Sequence, residues 1–353
     1  MKTNEFVERS AVFVASESKI VTKDLDVFYN PLMAHNRDVT VLVLLAMGRS
    51  GLRICDPLAG SGVRAIRLRK ELPQGMVDSI VVNDLAIGFE ETFRGNLSRS
   101  GLSEDGFVVS RSIAQRAMTA GFFDYIDVDP FGSPNPFLDA AVQHVKNKGV
   151  VAVTATDTSA LCGTYPKACL RKYGATPLRG AQMHEGALRI LIRKAQLVGA
   201  QYGKALTPVF SMAKDHYVRV FFSCVESKQA TDAILAKQGL LDGVGPMWLG
   251  GLWDASLVER MCEVREGTLF ASDRALAKVL ETIRGESAVD AVGFVDIHEQ
   301  ARILKEGEMA RLSPIIDAIR AKGFACARTH LSATGIRTTA PKEAVEGLVK
   351  KEK

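Results

Sequence analysis

The sequence predicts an α/β fold: a mostly parallel sheet closed by an antiparallel hairpin, followed by a smaller α+β region. Three observations support this prediction. Short apolar strands alternate with helices between residues 52 and 154, as in βαβ units. Two alternating segments, 207–213 and 217–224, then follow each other without an intervening helix and indicate a hairpin. Beyond residue 226 the regular alternation stops, which indicates a second structural unit.

Composition narrows the class of protein. Of the 353 residues, 47% are hydrophobic and 24% are charged, and no apolar run approaches the roughly 18 residues of a membrane span. The start of the chain, MKTNEFVERS, lacks the apolar core of a signal peptide, so we expect a cytoplasmic protein without membrane contact. The net charge of +5 permits an anionic partner without requiring one.

Cysteine spacing bears on metal and redox chemistry. The two nearest of the six cysteines, Cys162 and Cys169, are seven positions apart, so the chain has no C-x-x-C pair. We therefore expect reduced thiols.

The first predicted helix lies upstream of the sheet. Asp38 precedes the apolar segment Val39 to Met47, which Gly48 can end, so we expect the helix to begin there. Arg37 then stands in the preceding loop. From the residues alone, it is either a solvated surface arginine or a ligand-binding residue.

The first βαβ unit contains a glycine-rich turn. Strand Leu52 to Cys55 leads through DPLAGSG to a helix over Val63 to Leu72. Gly60 and Gly62 allow a ligand to approach the backbone closely, and the helix N-terminus favours negative charge. Asp84 follows the second strand, 22 residues after Gly62, which suits an acid that binds ribose hydroxyls. The same spacing fits a dinucleotide-dependent oxidoreductase, so that alternative stays open.

Apolar runs and turn residues predict the other elements before residue 226. They are strand Ser79–Asn83, helix Ala86–Ser100, strand Phe107–Val109, helix Ile113–Ala120, strand Phe122–Val128, helix Asn135–Val145, strand Gly149–Thr154 and helix Glu185–Tyr202.

The fourth strand of the alternating region ends in Asp129-Pro130-Phe131. Ligands of open α/β sheets bind beyond the carboxyl ends of the strands, so these three residues would project into a crevice. An acid, a rigid proline and an aromatic at this position can hold and stack a planar amine. The alternative is an ordinary strand-ending turn.

Polar and basic segments follow the fifth strand. The loop 155–166 is long and polar, which is more typical of a functional loop than of a plain connection. Between residues 167 and 204 eight basic residues accompany a single acid, Glu185, in a pattern that suits nucleic acid but also occurs on solvated faces. The basic residues are Lys167, Arg171, Lys172, Arg179, Arg189, Arg193, Lys194 and Lys204.

The C-terminal region 227–353 is predicted to be α+β, with a tail from Arg328 to Thr338 rich in small polar and basic residues. This tail either contacts phosphates or forms a solvated loop. The predicted elements are helices Gln229–Gln238, Ser256–Arg265, Ala275–Arg284 and Pro314–Ala321, and strand Phe324–Ala327.

Five alternating strands closed by a hairpin resemble the class I, Rossmann-like, seven-stranded fold of S-adenosylmethionine-dependent methyltransferases. Dehydrogenases normally lack the terminal hairpin. Longer sequence segments make the resemblance more specific, since together they resemble the tRNA (guanine(26)-N2)-dimethyltransferase family. These segments are FYNPLMAHNRD, DPLAGSGVRAIR, DVDPFGSPNPFLDAA, TATDTSALCGTYPKACLRKYGATPLRG, GPMWLG and RTHLSATGIRTTAP.

The resemblance implies a methyltransferase domain at 1–226 and a tRNA-binding α+β domain at 227–353. It implies S-adenosylmethionine as methyl donor and tRNA as partner, and it gives no sign of an obligate protein partner. Since the paired cysteines of many family members are absent before GPMWLG, no metal is expected. Ser112-Ile113 stands where the family usually has an Asp-Ala pair that contacts the donor's adenine.

Residue roles carry over by position. Arg37 and Arg64 would bind the donor, Asp84 its ribose, and Asp129 the guanine amine. The implied catalytic residues are Asp129, Pro130 and Phe131. The implied donor-binding residues are Phe28, Arg37, Asp56, Gly60, Gly62, Arg64, Asp84, Ser112 and Ile113. The implied substrate-binding residues are Thr156, Asp157, Cys162, Lys167, Arg171, Lys172, Arg328 and His330.

The expected reaction is transfer of one or two methyl groups to the N2 of guanine 26 in tRNA. Two other methyl acceptors stay open as alternatives, adenine N6 and another RNA guanine N2. An oxidoreductase and a tRNA-binding protein with a degenerate site are the rivals from other classes.

Overall fold

The computed structural model describes residues 3–16, 27–214, 216–305 and 311–349. The strands are β1 (Thr3–Glu8), β2 (Ala11–Ser16), β3 (Leu52–Asp56), β4 (Val77–Asn83), β5 (Phe107–Ser110), β6 (Phe123–Val128), β7 (Val145–Ala155), β8 (Lys204–Lys214), β9 (Tyr217–Glu226), β10 (Gln238–Leu241), β11 (Val244–Trp248), β12 (Val295–Asp296), β13 (Cys326–Arg328) and β14 (Gly335–Thr338).

The helices are α1 (Ala34–Met47), α2 (Val63–Glu71), α3 (Phe89–Arg99), α4 (Ala114–Met118), α5 (Asn135–His144), α6 (Thr158–Leu161), α7 (Pro166–Tyr173), α8 (Met183–Gln201), α9 (Lys228–Leu235), α10 (Ala255–Arg265), α11 (Arg274–Ser287), α12 (Ile297–Ile303), α13 (Leu312–Ala321) and α14 (Lys342–Val349).

A seven-stranded sheet forms the centre of the described chain, with the strand order β5-β4-β3-β6-β7-β9-β8. The first five of these strands are parallel, and β9 runs antiparallel to both β7 and β8. This arrangement confirms the predicted α/β class and the class I methyltransferase topology. All six residues of β6 are buried, because helices cover both faces of the sheet.

The start of the first helix differs from the prediction. Asn30 caps a single 3-10 turn at Pro31–Met33, and this turn continues directly into α1 at Ala34. Asp38 was predicted as the helix cap, but it lies inside α1 and is fully buried. Arg37 therefore belongs to the helix rather than to a loop, and it is buried as well.

Several elements were missed by sequence reasoning. The hairpin β1–β2 precedes the sheet, and α6 and α7 replace much of the predicted polar loop and the segment after it. The tail from Arg328 to Thr338, in which no strand was predicted beyond residue 327, contains β14, which pairs with β12 and β13 in a small antiparallel sheet. Each of these elements is short, so hydrophobic periodicity gave only a weak signal.

The region after β9 packs against the large sheet. Side chains of α10 and α11 lie in the same hydrophobic core as α1, whereas α12, α13 and α14 enclose a smaller core of their own. The division after residue 226 stays a prediction.

In the part of the chain that the structure describes, no helix is both long and apolar enough to cross a membrane.

Candidate active site

Three carboxylates stand where neighbouring parallel strands end. Asp56 closes β3, Asp84 follows β4, and Asp129 follows β6. Because β3 pairs with both β4 and β6, their carboxyl ends meet at one edge of the sheet. This is the edge at which open α/β sheets bind ligands.

The glycine-rich turn after β3 has no room for side chains. Gly60 and Gly62 have positive φ angles of 56° and 75°. A Cβ at Gly60 would lie 2.9 Å from the Phe28 carbonyl oxygen, and one at Gly62 would lie 2.2 Å from the Phe93 ring. Asp84 fixes the turn, since its Oδ2 accepts a 2.8 Å hydrogen bond from the Gly60 N–H. Glycine is therefore required at both positions for the turn to pack against Phe28 and Phe93.

Asp56 is buried at the centre of this edge. Its Oδ2 has no hydrogen-bond partner among the described residues. Burial raises the pKa of Asp56 to about 7. The positive charge of Arg64 opposes this shift, whereas the carboxylates of Asp127, Asp129 and Asp84 add to it. A buried oxygen without a partner is unfavourable, so a cationic or hydrogen-bond-donating ligand would be bound here.

Asp129 and Phe131 follow β6 at the same edge of the sheet as Asp56. Arg64 Nη2 donates a short hydrogen bond to Asp129 Oδ2. Within the described ranges no residue donates to Asp129 Oδ1. The Phe131 ring is 48% exposed and makes an edge contact with Phe28, with ring centroids 4.4 Å apart. One acceptor oxygen and an aromatic surface therefore remain available to a planar polar ligand.

The loop after β7 holds the Asp129 turn in place. Gly132 N–H donates to Thr156 Oγ1 at 2.7 Å, and the Thr156 N–H donates back to the Gly132 carbonyl at 3.0 Å. Asp157 accepts hydrogen bonds from Lys172 Nζ at 3.0 Å and from Tyr173 Oη at 2.7 Å. Helix α7 is thereby anchored beside the turn, and contact of Thr156, Asp157 and Lys172 with the substrate stays a prediction.

Cys162 lies in the same loop, with its Sγ 3.7 Å from His184 Nδ1. Burial raises the pKa of the Cys162 thiol to about 11. The thiol is protonated near neutral pH, so Cys162 is suited to lining a pocket and not to acting as a nucleophile.

The two predicted donor-binding arginines have protein partners. Arg37 Nε and Nη2 donate to both carboxylate oxygens of Glu8, at 2.7 and 2.5 Å. Burial alone would raise the pKa of Glu8, but Arg37 and Arg67 together lower it to about 2. Arg64 contacts Asp129 and also donates to Asn36 Oδ1 at 3.0 Å. Direct contact of either arginine with a methyl donor stays a prediction.

Ser112 and Ile113 follow β5. The Ser112 N–H and hydroxyl both donate to Asn83 Oδ1, at 2.9 and 3.0 Å, so the loop is tied to the end of β4. Ile113 is 56% exposed, and Leu85, which follows Asp84, is 61% exposed. Leu85 directly follows the predicted ribose-binding acid Asp84 and was not among the predicted site residues.

The predicted phosphate-binding residues fall into two groups. Lys167, Arg171 and Arg328 are exposed. His330 is different, since its side chain is 3% exposed and Nδ1 lies 2.7 Å from Glu286 Oε2. This buried pairing argues against the predicted phosphate contact of His330.

The basic stretch is likewise not a single surface. Arg189 is buried against Glu185, and Lys204 Nζ donates to three carbonyls at the end of α5.

One group of metal-ligand residue types occurs in the described ranges, namely His35, Asp38 and Asp273. The guanidinium of Arg9 donates to both of these carboxylates, at 2.8 and 2.6 Å. The positive charge of the Arg9 side chain therefore balances the carboxylates of this cluster.

Comparisons with known proteins identify a family. The sequence matches the family described as N2,N2-dimethylguanosine tRNA methyltransferase over residues 9–243 and 240–350. The tRNA (guanine(26)-N(2))-dimethyltransferase of Pyrococcus abyssi is 34% identical and aligns over 97% of both chains. The tRNA (guanine(26)-N(2)/guanine(27)-N(2))-dimethyltransferase of Aquifex aeolicus is 32% identical over 93% of this chain and 90% of its own.

A solved structure also resembles the whole chain. It is described as the complex structure of Trm1 from Pyrococcus horikoshii with S-adenosyl-L-methionine. The TM-score is 0.90 and the sequence identity is 32%, with 99% of this chain and 100% of that chain covered.

Proposed function

This chain belongs to the N2,N2-dimethylguanosine tRNA methyltransferase family, and we propose that it methylates the exocyclic N2 of guanine 26 in tRNA. The methyl donor is S-adenosylmethionine, and one or two methyl groups are transferred. The observation that carries the proposal is the position of Asp129 and the exposed Phe131 directly after β6, at the sheet edge that also carries the glycine turn and the unpartnered oxygen of Asp56.

The residues at the sheet edge fit S-adenosylmethionine. The glycine turn would lie along the donor, and Asp56 Oδ2 would accept a hydrogen bond from its ammonium group. Asp84 retains lone pairs for the ribose hydroxyls, and Leu85 and Ile113 offer apolar contact to adenine. When bound, the donor supplies an electrophilic methyl group.

The glycine turn leads to a first prediction. Replacing Gly62 by Ala weakens binding of S-adenosylhomocysteine by at least roughly tenfold and destabilises the fold, because the new Cβ would lie 2.2 Å from Phe93. Gly75→Ala is the matched control, since Gly75 has a φ of 80° with no atom within 4 Å of its Cβ position. The control has only the backbone penalty, about 1 kcal/mol. Calorimetric titration and chemical unfolding measure both effects, and equal behaviour of the two variants contradicts the prediction.

The catalytic work of the protein is to orient a weak nucleophile. The lone pair of the guanine N2 is delocalised into the ring, so the amine must be held in line with the methyl group. Asp129 Oδ1 and the Pro130 carbonyl accept its two hydrogens, and Phe131 stacks against the base. After transfer, the proton leaves to Asp129 or to water.

Basic residues beside the pocket support tRNA as substrate. Lys167 and Arg171 are exposed on α7, which is anchored to the active-site turn through Asp157. Phosphate contacts from this helix, and from a second domain at 227–353 that includes Arg328, would position the tRNA. The target base lies within folded tRNA and must be extruded to reach Asp129.

We also place the enzyme in the cytoplasm as part of this proposal. The six cysteines are all free thiols, as expected in a reducing compartment.

The function is tested by nucleoside mass spectrometry of an unmodified tRNA transcript incubated with the protein and S-adenosylmethionine. We expect N2-methylated guanosine, with N2,N2-dimethylguanosine accumulating at longer times. A transcript with adenosine at position 26 should yield no methylated product. A transcript changed at position 27 tests for a second target, because the name of the Aquifex relative also includes guanine 27. Methylation unaffected by the change at 26 would overturn the assigned position. Absence of any methylated nucleoside would overturn the substrate class.

A further inference from the structure

We propose that Asp127 and Arg219 form a positioning pair which, through Arg64, determines which oxygen of Asp129 faces the substrate. This inference rests on the proposed function, because it concerns the orientation of the carboxylate that holds the guanine amine. Neither Asp127 nor Arg219 is among the residues that would contact the methyl donor or the guanine. They act through a chain of contacts that begins on β9 and ends at the carboxyl end of β6.

Arg64 is the link that touches Asp129. Its Nη2 donates to Asp129 Oδ2, which leaves Oδ1 to the crevice. Its Nη1 donates to Asn36 Oδ1 at 3.0 Å and to Thr40 Oγ1 at 2.9 Å. The same Nη1 lies 3.1 Å from Asp127 Oδ2. The guanidinium is thus held from two sides, and each nitrogen has a different carboxylate.

Asp127 is placed to share this arginine with Asp129. Asp127 lies in β6, Asp129 directly follows that strand, and the carboxylates of both residues contact Arg64. Asp127 is fully buried, and Tyr125 Oη donates to its Oδ2 at 2.6 Å. Arg219 binds both of its oxygens, with Nη1–Oδ1 at 3.0 Å and Nη2–Oδ2 at 2.7 Å.

Arg219 is itself immobilised. It is fully buried on β9, and its guanidinium lies 4.6 Å from the centroid of the Phe221 ring. Nη1 donates to Thr154 Oγ1 at 2.6 Å, and Nη2 donates to Thr40 Oγ1 at 2.9 Å. Thr40 therefore accepts hydrogen bonds from both arginines. A bidentate, stacked guanidinium of this kind defines an orientation that lysine cannot reproduce.

The charges explain why the pair sets the orientation of Asp129. Two guanidiniums face Asp127 and Asp129, and each carboxylate draws on Arg64. Without the negative charge of Asp127, Arg64 is free to bind both oxygens of Asp129. Arg64 then occupies Oδ1, the oxygen that would accept the hydrogen bond from the guanine amine. Without the bidentate hydrogen bonds from Arg219, Asp127 competes more strongly with Asp129 for Arg64. Both changes misdirect Asp129 without altering the glycine turn, Asp56 or Asp84.

A double-mutant cycle tests this inference, using single-turnover methylation of the tRNA transcript and titration with S-adenosylhomocysteine. We expect Asp127→Asn to lower the rate of methyl transfer roughly 10- to 100-fold, with donor affinity within about threefold of wild type. In the Asp129→Asn background, the same change should lower the rate by less than about twofold, because its route of action is already removed.

Two further variants keep the test decisive. Arg219→Lys preserves the positive charge but cannot bind both oxygens of Asp127. It should also lower the rate of methyl transfer without weakening donor binding. If Asp127→Asn does not fold, Arg219→Lys takes its place in the cycle. Asp124→Asn is the matched control, since Asp124 is an ion-paired acid near the opposite end of β6, bound to Arg49 and Lys146. The control should retain wild-type rates.

Additive losses in the cycle, or a loss of donor affinity that accounts for the lower rate, would overturn the inference alone. A wild-type enzyme inactive on tRNA would overturn the proposed function and this inference with it.

Discussion

Replacing Asp129 by asparagine is expected to lower the rate of methyl transfer about 10³-fold, while affinity for S-adenosylhomocysteine changes little. Asparagine preserves the size of the side chain but removes the negative charge that accepts the amine hydrogen and balances Arg64. Its amide can also present an N–H to the substrate, which repels the amine hydrogens. Single-turnover kinetics on the tRNA transcript, with product measured by mass spectrometry, give the rate directly.

The matched control is Asp139→Asn on the helix that follows the same turn. Asp139 is an exposed carboxylate hydrogen-bonded to Tyr202 at 2.6 Å, remote from the strand ends. It should retain full activity. If Asp129→Asn kept near wild-type turnover, the amine would be held by another group and the mechanism above would be wrong.

The second large effect concerns stability. Glu185→Gln is expected to lower the free energy of unfolding by about 3–5 kcal/mol, since it breaks a buried ion network. Glu185 is fully buried, and its Oε2 accepts from Arg337 Nη2 at 2.7 Å. Arg189 and the Gly293 N–H donate to Oε1, each at 2.8 Å. When Glu185 is neutralised, Glu286 is the carboxylate that still pairs with Arg337. The buried positive charge of Arg189 then loses its paired carboxylate.

This network also predicts a pH dependence. Burial alone would raise the pKa of Glu185, but Arg189 and Arg337 together lower it from 4.5 to about 2. Because the folded-state pKa is depressed, the unfolded chain binds the proton more tightly. The stabilisation is therefore fully present above pH 4.5 and is lost as the pH falls toward 2. This difference corresponds to about 3 kcal/mol.

Urea unfolding at a series of pH values measures both parts of this prediction. The wild type should lose stability between pH 4.5 and 2 more steeply than Glu185→Gln. Glu299→Gln serves as control, because Glu299 is a partly exposed acid 3.8 Å from Arg302, and surface pairs contribute at most about 1 kcal/mol. Equal stability of Glu185→Gln and Glu299→Gln would show that the buried network is not a major stabilising feature.

The structure confirms most of the predicted elements of the sheet, but it corrects the predicted start of the first helix. The alternating apolar runs predicted β3 to β7, the closing hairpin and the glycine turn, and the structure confirms these elements. The same reasoning misplaced the start of α1, because Asp38 has the residue type of a helix cap while its actual partners, Arg9 and Arg67, lie elsewhere in the chain. Local patterns do not record such distant pairings.

The sequence by itself determined the fold class, the strand ends that carry Asp56, Asp84 and Asp129, and the resemblance to a methyltransferase family. These features depend on periodicity, turn residues and contiguous motifs, all of which are local.

Only the tertiary structure decided which charges meet. It pairs Arg37 with Glu8, buries His330 against Glu286, and directs Arg64 to Asp129. The physical reason is that a buried charge takes its partner from whichever element packs against it, and packing between distant segments is a property of the folded chain.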